Sequence, residues 1–308
     1  MSMDLITGGA GFIGSHLAEA LTAQGRKVRV VDNLSTGRLS NLDGFDVEFL
    51  QGDVADPQIA VQACQDVERV FHMAARPSVP WSVEFPEEAF RTNHGTTLAL
   101  IEAAKQTSVK RIVFSSTCAL YGDNPELPKR EKMTPEPVSP YGEHKLMGER
   151  ALAQAHADGI VEAVVLRYFN VYGPRQDPSS PYSGVISLFT RWAKDGTQPN
   201  IFGDGQQTRD FVYVGDVIRA NQLAMAAELP GPGVITNIAT GKSISILELW
   251  GSVCTAGNLP ILQPNFLPAR EGDVVHSVAN TDRAKEVLGF EAQTALADGL
   301  VQTVSAPQ

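Results

Sequence analysis

Through the first half of the chain, short apolar runs rich in β-branched residues alternate with longer stretches of helical spacing. That alternation is the pattern of parallel βαβ units, whose strands are buried on both faces and covered by the intervening helices. It predicts strands at 4–7, 27–32, 47–50, 69–73, 111–115 and 161–167. Between them, Ile13, Leu17 and Leu21 recur every four residues, and Leu98 with Ile101 mark a second apolar stripe. The expected fold is α/β, a Rossmann-type doubly wound parallel sheet.

After Tyr168 the texture changes. Pro, Gly, Ser and Asp crowd positions 174–182 and again 200–207, a loop composition that opens a smaller domain. Helices expected at 214–227 and 246–255, and a strand at 234–238, are regular enough to return to the large sheet. The expected division is therefore interleaved. Residues 1–168 form a dinucleotide-binding unit to which 211–256 return, and 169–210 with 257–308 form a substrate domain.

The length of 308 residues admits one large α/β unit or two modest domains. No apolar run approaches the ~18 residues of a membrane span, and 43% hydrophobic with 19% charged residues is a globular balance. The first residues run straight into an apolar strand with no basic region or cleavage site, so no signal peptide and a cytoplasmic location are expected. A net charge of −10 disfavours nucleic acid, whose binding needs clustered Lys and Arg, and points to small-molecule partners. Cys64, Cys118 and Cys254 are scattered without CxxC spacing, and the 6 histidines form no metal-binding pair, so neither disulfide nor metal is expected.

Two constellations carry chemistry. The segment from Thr7 through Gly8, Gly11 and Gly14 follows a strand and opens a helix, where glycines let the backbone approach a pyrophosphate held by helix N-terminal amides. An ordinary glycine-rich turn is the alternative. Asp32, at the end of the second strand, can accept hydrogen bonds from an adenosine ribose and would repel a 2′-phosphate, which favours NAD over NADP. Asp53 and Val54 after the third strand, and Ala74 and Ala75 after the fourth, fit the flanking loops. The second constellation is Tyr141 with Lys145, four apart and so on one helix face, where an ammonium can favour a phenolate that serves as a base. A plain surface pair would show the same spacing. Upstream, the hydroxyl-rich Ser115 to Thr117 ends a strand at the carboxyl edge of the sheet, where open α/β folds bind substrates.

With these motifs the chain resembles the extended short-chain dehydrogenase/reductase superfamily and, within it, the nucleotide-sugar 4-epimerases. The resemblance rests on TGGAGFIG from Thr7, Asp32-Asn33-Leu34, SSTCALYG from Ser115, Tyr141 with Lys145, Arg167-Tyr168-Phe169-Asn170, Thr208-Arg209-Asp210-Phe211 and Arg270-Glu271-Gly272-Asp273. It implies catalysis by Thr117, Tyr141 and Lys145, and it adds Phe12, Ile13, Asn33, Ser35, Gly37, Asn93, Ser115 and Tyr168 to the surroundings of NAD. For a UDP-sugar substrate it implies Asn170, Arg209 and Arg270 on the diphosphate and Val185, Ile201 and Phe202 around the uridine. Ser78, Thr117, Asp273 and Ser277 complete the substrate set. Surface salt bridges with Asp210 and Asp273 are the competing account of the two arginines, and small-domain core packing that of the apolar trio.

The relatives carry a bulky residue at the position of Ser277 when only plain hexoses are handled and a small one when N-acetylated sugars are accepted. Serine there implies an open pocket; a solvent-facing strand residue is the alternative. Cys118 and Ala119 stand where related dehydratases and UDP-glucuronate decarboxylases tend to carry an acidic residue, so water elimination lacks its acid and base. The resemblance also implies a homodimer through the helices at 94–105 and 141–156. The rival readings are another UDP-sugar enzyme, such as a UDP-glucuronate decarboxylase or epimerase, and a non-catalytic NAD-binding regulatory protein.

Overall fold

The structure is a computed structural model that describes residues 3–177, 184–269 and 274–307. Its strands are β1 (Met3–Thr7), β2 (Lys27–Asp32), β3 (Val47–Gln51), β4 (Val67–His72), β5 (Arg111–Thr117), β6 (Glu162–Tyr168), β7 (Asn170–Tyr172), β8 (Asn200–Phe202), β9 (Thr208–Tyr213), β10 (Val234–Ile238), β11 (Ser243–Ser245) and β12 (Asn265–Leu267). Among the described residues, seven make one parallel sheet in the order β10-β6-β5-β4-β1-β2-β3. The winding reverses between β1 and β4, and a ligand crevice opens at the carboxyl ends of strands at such a switch point.

Alternation along each strand feeds two cores. Ile6 and Val30 face Leu17, Leu21 and Val217 on one side. Their neighbours Leu5 and Val31 face Ala60, Leu100 and Leu152 on the other. The helix that carries Tyr141, Pro140–Ala157, starts at the Ser139 hydroxyl, which accepts from the Gly142 amide at 3.2 Å, with proline at the first helical position where its missing N–H costs nothing.

The strands at 27–32 and 234–238 coincide with expectation, and the other expected strands shift by one or two residues at their ends. One expectation fails. The helix Ile246–Ala256 does not return to the large sheet, because its apolar face of Leu249, Trp250 and Val253 packs on Ile186, Phe189 and Leu300 in a separate core. Phe189 and Trp250 meet edge to face at 5.3 Å there. Strand β10 does return, pairing with β6 at the sheet edge, so the chain leaves the large sheet for β7 to β9 and comes back to it. Among the described residues no helix is long and apolar enough to cross a membrane.

Candidate active site

A cavity of about 580 Å³ lies over the carboxyl ends of β1, β2, β4 and β5. Its floor is the turn from β1 into the helix Phe12–Ala23. Gly8 has φ +68°, and a Cβ there would stand 2.9 Å from the backbone of Ala74. A Cβ on Gly14 would stand 2.4 Å from the Gly8 carbonyl oxygen. Only glycine permits this close approach of the turn to itself and to the β4 loop. The helix begins at Gly11 with no side-chain cap, so its first amides open onto the cavity and suit an anion.

Asp32 closes one end of the cavity. Its carboxylate accepts from the Ala10 amide at 3.0 Å and the Leu34 amide at 2.8 Å, while burial pushes its pKa up against those two bonds. Asn33, Ser35, Asp53, Val54, Ala74 and Ala75 line the same cavity, with Phe12, Ile13, Ser78, Ser115, Tyr141, Lys145 and Tyr168. The uncapped helix, the glycine cradle and the carboxylate together fit a dinucleotide.

Gly37 and Asn93 work from behind. A Cβ on Gly37 would sit 2.9 Å from Asp32 Oδ2, and buried Asn93 accepts from the Arg76 amide at 2.8 Å, fixing the loop that follows β4. Arg38, Asn41 and Arg76, which no motif in the sequence marks, also line the cavity. The Asn41 amide reaches the Ala10 carbonyl at 2.9 Å, and the Arg76 guanidinium lies 4.2 Å from the Trp81 ring centroid. Arg38 and Arg76 occur in loops and Asn41 in a four-residue helical turn, Leu39–Leu42, too short to show a period.

At the other end, Lys145 is buried and donates from Nζ to the Ser115 carbonyl at 2.7 Å, with the Phe114 ring 4.6 Å away. Burial pulls its pKa down to about 7, and the Glu149 charge resists that fall. Tyr141 is held from behind by the Ser82 hydroxyl, which accepts its backbone amide at 3.2 Å. Burial is the largest influence on its phenol and pushes the pKa up, the Cys118 thiol adds to that, and a hydrogen bond with Thr117 opposes it. The expected activation by Lys145 is therefore not the dominant influence on this phenol. Tyr168 receives the Ser115 hydroxyl at 3.1 Å and the Asn221 amide at 2.8 Å, which anchors β5 to the helix Val214–Ala226. Burial pushes the Cys118 thiol up to about 12, which makes it a poor nucleophile.

The expected substrate residues fall into three groups. Asn170 donates to the Asp210 carbonyl at 2.9 Å, and Arg209 reaches the Thr208 carbonyl at 2.9 Å; they stand on adjoining strands, β7 and β9, of a three-stranded sheet in the order β11-β9-β7. Ser277 lies beside them, its amide donating to the Thr208 carbonyl at 3.1 Å; it is buried, so the solvent-facing alternative does not hold. Val185 and Phe202 keep part of their surface, whereas Ile201 is 1% exposed and belongs wholly to the separate core around Phe189 and Trp250. Arg270 and Asp273 lie outside the described residues.

This crevice at the switch point of a doubly wound sheet, floored by glycines and flanked by a Tyr-Lys helix, defines a dinucleotide-dependent enzyme site. Residues 5–239 match the model of the NAD dependent epimerase/dehydratase family, and the chain belongs to that family. It is 38% identical over 306 residues to UDP-glucose 4-epimerase of Mycolicibacterium smegmatis, across 97% of this chain and 96% of the relative. The crystal structure of UDP-glucose 4-epimerase with UDP-glucose from Thermotoga maritima superposes with a TM-score of 0.93 at 40% identity, covering 98% of this chain and 97% of that one. UDP-N-acetylglucosamine 4-epimerase from Methanobrevibacter ruminantium, in complex with UDP-N-acetylmuramic acid, gives 0.93 at 36% identity with the same coverage.

Proposed function

We propose that this protein is an NAD-dependent 4-epimerase of UDP-hexoses, an isomerase acting through a transient 4-keto sugar, and that it takes UDP-N-acetylglucosamine and UDP-N-acetylgalactosamine as well as UDP-glucose and UDP-galactose. The observation that carries the reading is that Tyr141 and Lys145 line the glycine-floored cavity while Thr117 hydrogen-bonds the Tyr141 phenol. A non-catalytic NAD-binding protein has no use for all three.

Gly8, Gly11, Gly14 and Asp32 would hold NAD, with the pyrophosphate on the uncapped helix and the adenosine ribose against the carboxylate. When bound, NAD supplies reversible hydride exchange at the sugar C4. Tyr141 takes the proton from the sugar O4 and returns it after the sugar has turned. Thr117 holds the same oxygen, and the Lys145 charge favours the phenolate as the proton leaves. Asn170 and Arg209, with Arg270, grip the diphosphate so that the sugar alone rotates. Ser277 leaves room beside C2, where a tyrosine ring would overpack an N-acetyl group at a cost of ~1–3 kcal/mol.

The same reading divides the chain into an NAD-binding unit and a smaller nucleotide-sugar unit built around β7, β9 and the separate core of Phe189 and Trp250. It also makes the protein a cytoplasmic homodimer that joins the helices Thr96–Ala104 and Pro140–Ala157 of two copies. Exposed Phe90, Leu98 and Met147 on that side support the pairing. The test is product analysis by NMR and mass spectrometry after incubation with the four UDP-sugars, with kcat/KM compared between the natural protein and Ser277→Tyr. The variant is expected to lose the acetylated sugars and keep the plain ones. Net NADH formation, or loss of carbon dioxide from UDP-glucuronate, would instead assign a dehydrogenase or a decarboxylase.

A further inference from the structure

Beneath the site runs a buried chain of polar side chains that the mechanism above does not use. The helix Pro140–Ala157 carries Tyr141, Lys145 and Glu149 at successive four-residue steps, so all three share one face. Glu149 is 3% exposed and Arg167, on β6, is 2% exposed. They form a two-pronged pair: Arg167 Nε donates to Glu149 Oε1 at 2.9 Å and Nη2 to Oε2 at 2.7 Å. The Ser116 hydroxyl of β5 adds a third bond to Oε1 at 2.5 Å. On its far side Arg167 Nη1 donates to the Tyr121 hydroxyl at 3.1 Å, and that hydroxyl donates to Asn237 Oδ1 at 2.6 Å.

A fully buried ion pair is poor value as a stabiliser, since hydrophobic replacements of similar volume are often as stable or more so. Its placement suggests another use. Ser116 stands between Ser115, whose carbonyl receives Lys145, and Thr117. One carboxylate therefore ties together the strand end and the helix that carry the three reacting side chains.

We propose that Glu149, locked by Arg167 and Ser116, is a positioning residue that keeps Lys145 charged and seated on β5. The proposal rests on the catalytic reading of Tyr141 and Lys145. The charged and titratable groups facing Lys145 are few. From its own helix come Tyr141 and Glu149; from β4 comes His72, which burial and the Lys145 charge hold well below its ordinary pKa and thus neutral; β5 presents the Ser115 carbonyl and the Phe114 ring. Among the described residues Glu149, itself bound to Arg167 of β6, is the one anion acting on Lys145, and it works against the burial that draws the ammonium down to about 7. Without that carboxylate, Lys145 gives up its proton at lower pH and Tyr141 loses the cation that favours its phenolate.

The test follows Lys145 itself, in protein labelled at the lysine side-chain carbons, by NMR titration with the signal assigned through Lys145→Met. Two variants are compared with the natural protein: Glu149→Gln, which keeps size and an accepting oxygen, and Glu149→Gln/Arg167→Met, which removes both charges together and leaves no buried charge unpaired. In both, the Lys145 midpoint is expected to fall by ~1 pH unit or more, and the alkaline limb of kcat to move down with it while KM changes little. Glu149→Asp, which keeps the charge, should restore most of the limb. An unchanged Lys145 midpoint in a folded double variant overturns the proposal, since a purely structural pair would lower activity without moving the titration. A shifted midpoint in a protein whose Tyr141→Phe variant remains active overturns instead the catalytic reading on which it rests.

Discussion

The Asp32 carboxylate receives the Ala10 amide at 3.0 Å, so the end of β2 and the glycine turn after β1 form one hydrogen-bonded unit. The same oxygens that are to meet an adenosine ribose thus also hold the turn that is to meet the pyrophosphate.

Asp32→Asn removes the charge and keeps one accepting oxygen, enough for the Ala10 amide of the turn, while the Leu34 amide loses its acceptor. The variant is expected to fold and to bind NAD about tenfold more weakly, a loss of ~1.4 kcal/mol. NADP should gain relative to NAD, since nothing then repels a 2′-phosphate. With one of the two backbone hydrogen bonds lost and the buried charge removed, the cofactor-free variant should melt only slightly below the natural protein at neutral pH. Titration calorimetry with both dinucleotides and a melting curve check all three outcomes. Tight NADP binding by the natural protein would contradict the role assigned to Asp32.

Gly14→Ala is expected to be costly. The new Cβ would stand 2.4 Å from the Gly8 carbonyl and 2.7 Å from the Gly9 Cα, both backbone atoms that move only if the turn opens. A loss of ~1–3 kcal/mol and of most cofactor binding should follow. Gly25→Ala is the control. Its φ of +72° also strains an alanine, but nothing lies within 4 Å of the added carbon, so it should cost ~1 kcal/mol and leave cofactor binding intact. Thermal melts and NAD binding on both variants separate crowding from backbone strain.

The large sheet was legible because buried strands concentrate β-branched apolar residues, as with Val28, Val30 and Val31 at 27–32 and Val234, Ile235 and Ile238 at 234–238. The glycine turn and the Tyr-Lys helix were legible because their chemistry fixes residue type and spacing locally. Helix 246–255 was recognised as a helix and misassigned to the large sheet, since Leu249, Trp250 and Val253 mark an apolar face without saying which core receives it. Lys145 was expected to tune Tyr141, but helix spacing says nothing of the burial that dominates both groups. Nor does spacing reveal the Glu149–Arg167 pair, whose partners lie 18 residues apart and meet only once β6 is in the sheet.

His72 should make the fold sensitive to acid. It is 1% exposed, with Nδ1 on the Thr7 hydroxyl at 2.9 Å and Nε2 on the Thr97 hydroxyl at 3.0 Å. Burial, and then the Lys145 charge, lower its pKa well below 6.5. The unfolded chain takes up the proton near 6.5 and the folded chain refuses it, so this contribution is intact above that pH and declines as pH falls below it. The slope from this one group is at most ~1.4 kcal/mol per pH unit. Denaturant unfolding of the natural protein and of His72→Gln between pH 5 and 8 should show a steeper acid decline in the natural protein. Parallel curves would show that His72 accepts its proton without opening the fold.

Tyr141→Phe removes one oxygen from a side chain that is 9% exposed and whose backbone amide is bonded to Ser82, so the fold and the cavity should survive. The phenol is the group placed to move the sugar O4 proton. Its loss should lower kcat by ~10²–10⁴-fold with bound NAD and KM nearly unchanged. Burial sets the phenol high before any ligand is considered, so full ionisation at neutral pH is not available to it. Burial also draws the Lys145 ammonium down to about 7, so the positive charge placed to favour the phenolate is held below that pH and is progressively lost above it in the ligand-free protein. Thr117→Val should leave a smaller residual loss than Tyr141→Phe, because Thr117 lends a hydrogen bond to the phenol without carrying the proton away from the site. Initial rates of UDP-galactose conversion, with cofactor content read from absorbance, rank the variants. A Thr117→Val protein slower than Tyr141→Phe would make the threonine, and not the tyrosine, the residue that handles the proton.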